Sequence, residues 1–298
     1  MSMVINHNLM ANNAARNLSD SYGALATSTR RLSSGLRITT AADDAAGLAI
    51  RELMRSDIST LNQGVRNAND AISMIQTADG ALQVIDEKLI RMKELAEQAA
   101  TGTYTSDQRL IIDSEYQAMA SEITRIASAT DFNGIYLLNG NLSSAVHNGS
   151  GLTSEGKLKV HFGTGNASAE DYYYIQIGTS TASAFGLGLG AASTSAGGRS
   201  ISTQDLAQKA LDAITAAIVS KDKIRANLGA LQNRLENTIS NLQIQAENLQ
   251  SAESQISDVD VATEMTEFVR NQILTQSAVA MLSQANSLPK MAMQLISG

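Results

Sequence analysis

The sequence predicts a mainly α protein: a long helical coiled-coil bundle from its N- and C-terminal segments, with a β-hairpin and a small β-rich outer element between them. Three observations lead to this fold class. Leucines recur seven residues apart near both ends, the only proline is Pro289, and the middle is rich in Gly, Ser and Thr. Since proline breaks helix interiors, the first 288 residues permit long helices. Only 4% of the residues are aromatic, which suits narrow helix–helix seams better than a thick core.

The first predicted helix carries Leu18, Leu25 and Leu32 and ends at Gly35, because glycine readily closes a helix. A second helix is predicted from about Asp44 to Ala100. We expect Thr40 and Asp43 to form a T-x-x-D capping box at its start, with Asp44 at the positive end of the helix dipole. Its apolar residues recur three and four apart: Ile58, Leu61, Val65, Ala68, Ile72, Ile75, Leu82, Ile85, Leu89 and Met92.

A third helix is predicted over 106–129, antiparallel to the second because only a short link containing Gly102 joins them. The pattern then changes. Asn133-Gly134 and Asn139-Gly140 are strong turn signals, and the alternating segments 157–162 and 172–177 are predicted to be paired strands. Residues 178–200 are read as a loop or a weakly held hairpin.

Helical periodicity resumes near Thr203 and is clearest in the C-terminal third. A row of aliphatic side chains at seven-residue spacing predicts a helical seam that packs within one subunit against the helix over 58–92. The sequence DVD at 258–260 is predicted to be a break and N-cap before a final helix that reaches about Ile296. The predicted seam consists of Leu228, Leu235, Leu242, Leu249 and Ile256.

The composition narrows the classes of function. A net charge of −7 argues against a nucleic-acid partner and against docking on an anionic membrane. No apolar stretch approaches the roughly 20 residues of a membrane span, and the first residues do not have the pattern of a secretory signal peptide. If the protein is extracellular, we therefore expect it to leave the cell by another route.

No constellation of residues predicts catalysis, a metal or a cofactor. His7, His147 and His161 are too far apart for a metal site and are read as ordinary polar positions. The sequence has no cysteine and no P-loop motif. GLGLG at 186–190 is read as a flexible surface loop, and Asp43-Asp44 as helix N-terminal charge rather than an acid–base pair. We expect the chain not to be an enzyme.

Long motifs at both ends resemble bacterial flagellin, over about residues 1–140 and 203–296. They include RRLSSGLRITTAADDAAGLAI, DFNGIYLLNG and LQNRLENTISNLQIQAENLQ. The resemblance implies that 1–40 and 259–298 are the two halves of an inner tube domain. It further implies that 41–140 and 203–258 form a helical spoke domain with the hairpin, and that 141–202 is a variable, surface-exposed outer segment.

The resemblance also implies a function: a structural subunit that polymerises with its own copies into the extracellular flagellar filament for swimming. It implies export in the unfolded state through the flagellar type III apparatus, with an export chaperone and a filament cap as partners. Because each terminal helix is too sparse in large apolar residues to fold alone, we expect both ends to order only on assembly. The residues expected to pack in the tube are Leu18, Leu25, Leu32, Ile273, Leu288 and Leu295.

Members of the family are also recognised by Toll-like receptor 5, and the resemblance carries that contact to Arg91, Leu95 and Glu115. The alternative is a solvated helix face that serves subunit packing. Some members hold a zinc protease in the outer segment, but this chain has no H-E-x-x-H motif, so that activity is not expected. Ser and Thr in 143–203 are either O-glycosylation sites or a plain solvated loop.

Two other readings remain open at this point. A hook–filament junction protein has similar ends and would be a minor component of a sheared appendage. An intracellular coiled-coil scaffold would share the heptads but would not assemble into tubes with a central channel.

Overall fold

The computed structural model describes residues 8–144, 146–148, 155–168, 170–188 and 198–297. It confirms the mainly α fold class. The five helices are α1 (Leu9–Ser34), α2 (Ala45–Ala100), α3 (Ser106–Ala129), α4 (Gln204–Ser257) and α5 (Val261–Ser297). The six short strands are β1 (Asp131–Phe132), β2 (Ile135–Tyr136), β3 (His147–Asn148), β4 (Glu155–Gly156), β5 (Leu158–His161) and β6 (Tyr172–Ile175).

The chain divides into two compact units, one formed by 1–58 with 247–298 and the other by 59–246. The first unit brings the two ends of the chain together, and the second contains most of the buried apolar side chains. This division does not test the predicted boundaries at 40, 140, 202 and 258, which stay a prediction.

Helix ends follow local chemistry. Gly35 caps α1 with a φ of 72°, in the left-handed region that glycine tolerates, and its N–H donates to the carbonyl of Arg31. Asp260 caps α5, because its carboxylate accepts from the backbone N–H of Ala262 at 2.9 Å and of Thr263 at 3.3 Å. Both ends were predicted.

The predicted capping box at the start of α2 was wrong. The carboxylate of Asp43 accepts hydrogen bonds from the backbone and hydroxyl groups of both Thr39 and Thr40, in a turn before the helix. Asp44 does the capping instead, accepting from the N–H of Gly47 at 2.9 Å. Asp43 and Asp44 are adjacent, and the T-x-x-D spacing pointed to Asp43 although Asp44 is the residue that caps the helix. A complete capping box lies elsewhere, between Thr105 and Gln108 at the start of α3.

The core of the second unit is a helical seam rather than a thick globular interior. It is one continuous cluster of aliphatic and alanine side chains from α2, α3 and α4, joined by residues of the short strands and of the segment after them. Representative fully buried members are Leu82, Ile85, Leu89, Met92, Tyr116, Ile123, Ile214 and Leu228.

The hairpin β1–β2 turns at Asn133 and Gly134, which have φ values of 52° and 80°. Both lie in the left-handed region that a two-residue hairpin turn demands. Strands β5 and β6 pair antiparallel as predicted, with Lys159 opposite Tyr174. The pair β3–β4 was not predicted, because its strands have two residues each and no alternating pattern.

The strand pair β5–β6 is fixed to α2 by a close approach. A Cβ on Gly64 would lie 2.0 Å from the carbonyl oxygen of Phe162, so only glycine fits there. Three residues along, the amide of Asn67 donates to the carbonyl of His161 at 2.8 Å.

The segment that leads into α4 is held by α3. The hydroxyl of Tyr116 donates to the carbonyl of Gly198 at 2.6 Å, and the carboxylate of Asp113 accepts from the N–H of Ile201 at 2.7 Å. Burial raises the pKa of the Tyr116 hydroxyl well above its ordinary value. These bonds satisfy polar groups that would otherwise be costly to bury.

The expectation of a flexible surface loop at 186–190 was wrong for its described part, 186–188. Leu187 is buried, and the N–H of Gly188 donates to the carbonyl of Gly198. A Cβ on Gly188 would lie 2.0 Å from that of Ala120, so the glycine permits close packing on α3. Residues 189–197 lie outside the described residues.

Candidate self-association surface

Helices α1 and α5 form an antiparallel pair that joins the two ends of the chain. Near one end, the N–H of Val259 donates to the carbonyl of Gly35, and the N–H of Arg37 donates to that of Ser257. Near the other end, the amide of Asn8 donates to the carbonyl of Ala285 at 2.8 Å.

The side of α5 that faces α1 carries mainly small and polar residues, together with the half-buried Phe268 and Leu282. Its buried residues whose side chains the structure describes are Glu264, Asn271, Thr275 and Ala285. On α1 the buried or half-buried row has 3–4 spacing and consists of Ala11, Ala14, Leu18, Ser21, Leu25, Ser28 and Leu32. The predicted residues Leu18, Leu25 and Leu32 therefore lie on the inner side of the pair, all half-buried.

One charged contact lies in this interface. A guanidinium nitrogen of Arg31 is 3.6 Å from a carboxylate oxygen of Glu264, which is nearly buried. The Nε atom of Arg31 is buried without a hydrogen-bond partner in the described structure. Because burying an unsatisfied polar atom costs free energy, this contact adds little to the stability of the pair.

Most of the large apolar side chains of α5 whose burial the structure describes are exposed. Val261, Met265, Val269 and Ile273 recur four residues apart, a spacing that keeps them along one side of the helix. Val261 is 58% exposed and Ile273 57% exposed. We call these four residues the outer α5 row. Leu274, Val279, Met281 and Met291 extend the exposed apolar surface of α5, and Leu9, Met10 and Tyr22 are exposed on α1.

This distribution differs from that of an ordinary amphipathic helix. A helix that packs only on its neighbour buries its apolar stripe and exposes its polar side, whereas α5 exposes most of its described large apolar residues and buries Glu264, Asn271 and Thr275. Exposed apolar surface of this extent marks a site of association with another protein or with another copy. Sequence periodicity indicated an amphipathic helix, and only the structure shows which side faces outward.

Other predicted residues lie in different places. Leu228, Leu235 and Leu242 are buried, with the first two in the core of the second unit, while Leu249 and Ile256 are half-buried. Ile273 belongs to the outer α5 row. The side chains of Leu288 and Leu295 lie outside the described residues.

The three residues expected to contact the receptor differ in how far they are buried. Arg91 and Glu115 are exposed and form an ion pair between α2 and α3, with the closest atoms 2.8 Å apart. Hydrogen bonding to Glu115, and next to Glu94, raises the pKa of the Arg91 guanidinium. Leu95 is only 1% exposed and belongs to the helical core.

The described residues contain no group of three or more His, Asp or Glu side chains placed to hold a metal ion. Within the same residues, none of the helices combines the length and apolar character that a membrane crossing requires.

Comparison with known proteins identifies the family of the chain. Residues 5–143 match the family model of the bacterial flagellin N-terminal helical region, and residues 211–296 match that of the C-terminal helical region. The chain is 40% identical to the flagellin of Halalkalibacterium halodurans over 99% of this chain and 100% of that protein.

It is also 40% identical to flagellin FlaB1 of Treponema pallidum, over 96% of each chain. Among solved structures, a flagellin of Bacillus cereus is similar with a TM-score of 0.46 and 25% identity, covering 63% of this chain and 94% of that one. The matches at both ends, and relatives that span nearly its whole length, show that this chain belongs to the bacterial flagellin family.

Proposed function

We propose that the outer α5 row is the surface through which this chain packs against other copies of itself in the flagellar filament. The chain is a structural subunit of the extracellular filament and not an enzyme, as its family indicates. The observation that supports the assignment to α5 is the exposure of most of its large apolar residues, while Glu264, Asn271 and Thr275 are buried. Relatives named flagellin over nearly the full length favour the filament subunit over a junction protein or an intracellular scaffold.

Burial of this surface would supply the free energy of association. Removing one Val, Ile or Met side chain from water contributes about 1.5–3 kcal/mol, before the cost of fixing one subunit on another is subtracted. The four residues of the outer α5 row can therefore stabilise each new subunit substantially, and the inner α1–α5 interface does not compete for them.

The same exposure supports the proposal that the ends order only on assembly. The fully buried residues of the inner interface are small or polar, and its leucines Leu18, Leu25 and Leu32 are only half-buried. The interface therefore contributes little apolar area to offset the entropy of ordering two long helices. In this proposal, packing of α5 against neighbouring copies supplies the missing stability. Backbone NMR of the monomer tests it: ordered helical shifts over 9–30 and 265–285 in the free chain would contradict it.

The surface assignment is tested with Ile273→Asp. A carboxylate in a subunit interface must be desolvated without a partner, so purified monomer carrying the substitution should polymerise poorly on filament seeds, as measured by light scattering and pelleting. Ile244→Asp is the matched control, since Ile244 is an isoleucine of similar exposure, 54%, on α4. Normal polymerisation of Ile273→Asp, or an equal defect in both variants, would overturn the assignment.

Three further partners are proposed from family membership. An export chaperone would cover the outer α5 row, because this exposed apolar surface must stay free of other contacts before assembly. A filament cap and export through the flagellar type III apparatus complete this proposal. A pull-down of a candidate chaperone with the wild-type chain and with Ile273→Asp would test whether the chaperone binds the outer α5 row.

Recognition by Toll-like receptor 5 is proposed for the face that carries Arg91 and Glu115. Both side chains are exposed, and the neighbouring Ile90 and Ile111 are exposed apolar residues, a combination common at interfaces. Leu95 is buried and would act by supporting that face. Receptor-bearing reporter cells should respond to wild-type monomer and less to Glu115→Ala; absence of any response, with a known agonist flagellin responding, would dispose of the proposal.

A further inference from the structure

The strand pair β5–β6 has an outward face made of cationic and aromatic side chains. Its register places Lys159 opposite Tyr174 and His161 opposite Tyr172, and Lys157 continues the alternation. The opposite face is apolar and faces the core, with Val160 and Ile175 buried. We define the cationic–aromatic face by its five residues: Lys157, Lys159, His161, Tyr172 and Tyr174.

The lysines of this face are held by the tyrosine rings. The ammonium of Lys159 lies 3.7 Å from the ring centroid of Tyr172, and that of Lys157 lies 4.2 Å from the centroid of Tyr174. The two tyrosine rings meet edge to face, with centroids 5.4 Å apart. Cation–π contacts of this kind orient an ammonium group without neutralising its charge.

The positive charge of this face comes from its two lysines. Within the described parts of the chain, neither Lys157 nor Lys159 takes part in an ion pair. The carboxylate of Asp171 interacts with His161 and accepts from the N–H groups of Gly165 and Ala167, so only the lysines are left without an acidic partner. The chain as a whole carries a net charge of −7, whereas this face carries positive charge. A positively charged face favours anionic partners.

We infer that the cationic–aromatic face binds an acidic polysaccharide. Carboxylate or sulfate groups along the polymer accept charge-assisted hydrogen bonds from the two ammonium groups, which the tyrosine rings orient. The two lysines, Lys159 within β5 and Lys157 just before it, present adjacent charges to successive sugars. This inference concerns a different unit from the outer α5 row and does not depend on the proposed assembly surface.

A nucleic acid fits the face less well. Single-stranded binding uses aromatic rings as platforms on which successive bases stack, whereas Tyr172 and Tyr174 are inclined by 81° to one another. An acidic polysaccharide needs no such stack, because its anionic groups contact the two lysines directly.

The test uses the full-length monomer and heparin, a sulfated polysaccharide, as the probe in isothermal titration calorimetry at two salt concentrations. The wild-type chain should bind, and the double substitution Lys157→Gln with Lys159→Gln should weaken binding at least tenfold. Lys209→Gln with Lys223→Gln is the matched control: it removes the same charge from exposed positions on α4 and should leave affinity within about twofold. Failure to bind heparin, or an equal loss in the control pair, would overturn the inference.

The aromatic part is tested separately. Tyr174→Ala should weaken heparin binding at least threefold, whereas Tyr174→Phe keeps the ring and should bind normally, which separates loss of a contact from loss of the fold. Equal or tighter binding of single-stranded DNA under the same conditions would show that the class of partner is wrong. Sedimentation velocity tests one remaining alternative. If the wild-type monomer self-associates and the double lysine substitution abolishes this, the face binds a second copy of the chain instead of a polysaccharide.

Discussion

The ammonium group of Lys221 on α4 lies 2.5 Å from a carboxylate oxygen of Asp86 on α2, although the lysine side chain is only 2% exposed. It also lies 2.8 Å from Asp222. Lys221 interrupts a row of small or apolar residues with 3–4 spacing that runs along α4: Ala207, Ala210, Ile214, Ala217, Ile224, Leu228, Leu231 and Leu235. One turn away, Arg225 pairs with Asp79 at 2.7 Å, so two ion pairs align the antiparallel helices.

The first prediction concerns the two sides of this ion pair. Asp86→Asn leaves Lys221 buried with only Asp222 beside it, and should lower the free energy of unfolding by about 3 kcal/mol in urea at neutral pH. Lys221→Met removes the buried charge and leaves Asp86, which is partly exposed, able to bind water. It should therefore cost much less or even stabilise the protein. Equal losses in both variants would contradict the asymmetry.

The second prediction compares two glycines on α2. Gly64→Ala places a Cβ 2.0 Å from the carbonyl of Phe162 and should destabilise the second unit by roughly 1–3 kcal/mol through overpacking. Gly80→Ala, with nothing within 4 Å of the new Cβ, should stabilise the helix by about 0.5–1 kcal/mol. Thermal unfolding of the two variants should shift in opposite directions, and shifts of the same sign would refute the close approach.

The third prediction concerns the hairpin turn. Gly134 has a φ of 80° and open space around it, so Gly134→Ala introduces backbone strain without a clash. We expect a loss of about 1–2 kcal/mol, the usual cost of the left-handed region for a residue with a Cβ. Hydrogen exchange should show faster exchange in β1 and β2, with α2 and α4 little affected. Unchanged exchange in the hairpin would count against this turn geometry.

The fourth prediction is a pH dependence. Hydrogen bonds from Thr40 and Thr39 hold the pKa of Asp43 well below its ordinary value of 3.8. A carboxyl whose folded pKa is depressed adds stability above its unfolded pKa, and loses it as the pH falls toward the folded value. Stability of the turn before α2 should therefore be constant near neutrality and decline below about pH 4.

Asp43→Asn is the variant that checks this assignment. It should be less stable than the wild-type chain at pH 7, and the difference should shrink on acidification toward pH 2, as followed by thermal unfolding. Asp107→Asn is a suitable control, because Asp107 is exposed in the first turn of α3. A constant difference across this range would show that the carboxylate charge of Asp43 does not matter.

Periodicity and caps predicted the helices well, because both signals are local. Gly35, Asp260 and the Asn133-Gly134 turn act through their own backbone geometry, which their residue types determine. Lys221 was missed for the opposite reason. In the sequence, a lysine within an apolar row does not indicate whether its side chain is buried or exposed. Its partner Asp86 is also 135 residues away.

The candidate surface was only partly predictable. Heptad spacing identified Leu18, Leu25 and Leu32, but the apolar residues of α5 occur around much of the helix, so spacing alone did not select a side. The buried Asn271 and Thr275 select it, and they are polar residues that a search for apolar stripes ignores. Similarly, Leu95 matches a family position on a helix surface, yet the packing of α2 against its neighbours buries it.

The backbone bonds between Gly35 and Val259, and between Arg37 and Ser257, have a topological consequence. They close a loop that contains more than two thirds of the chain, so everything between them is an insertion into the α1–α5 pair. The entropy of closing a loop grows only with the logarithm of its length, and a doubled loop costs about 0.6 kcal/mol more. Segments of foreign sequence placed after Ser143 can therefore lengthen this loop at small cost, which makes the outer segment a natural position for displaying added peptides on an intact subunit.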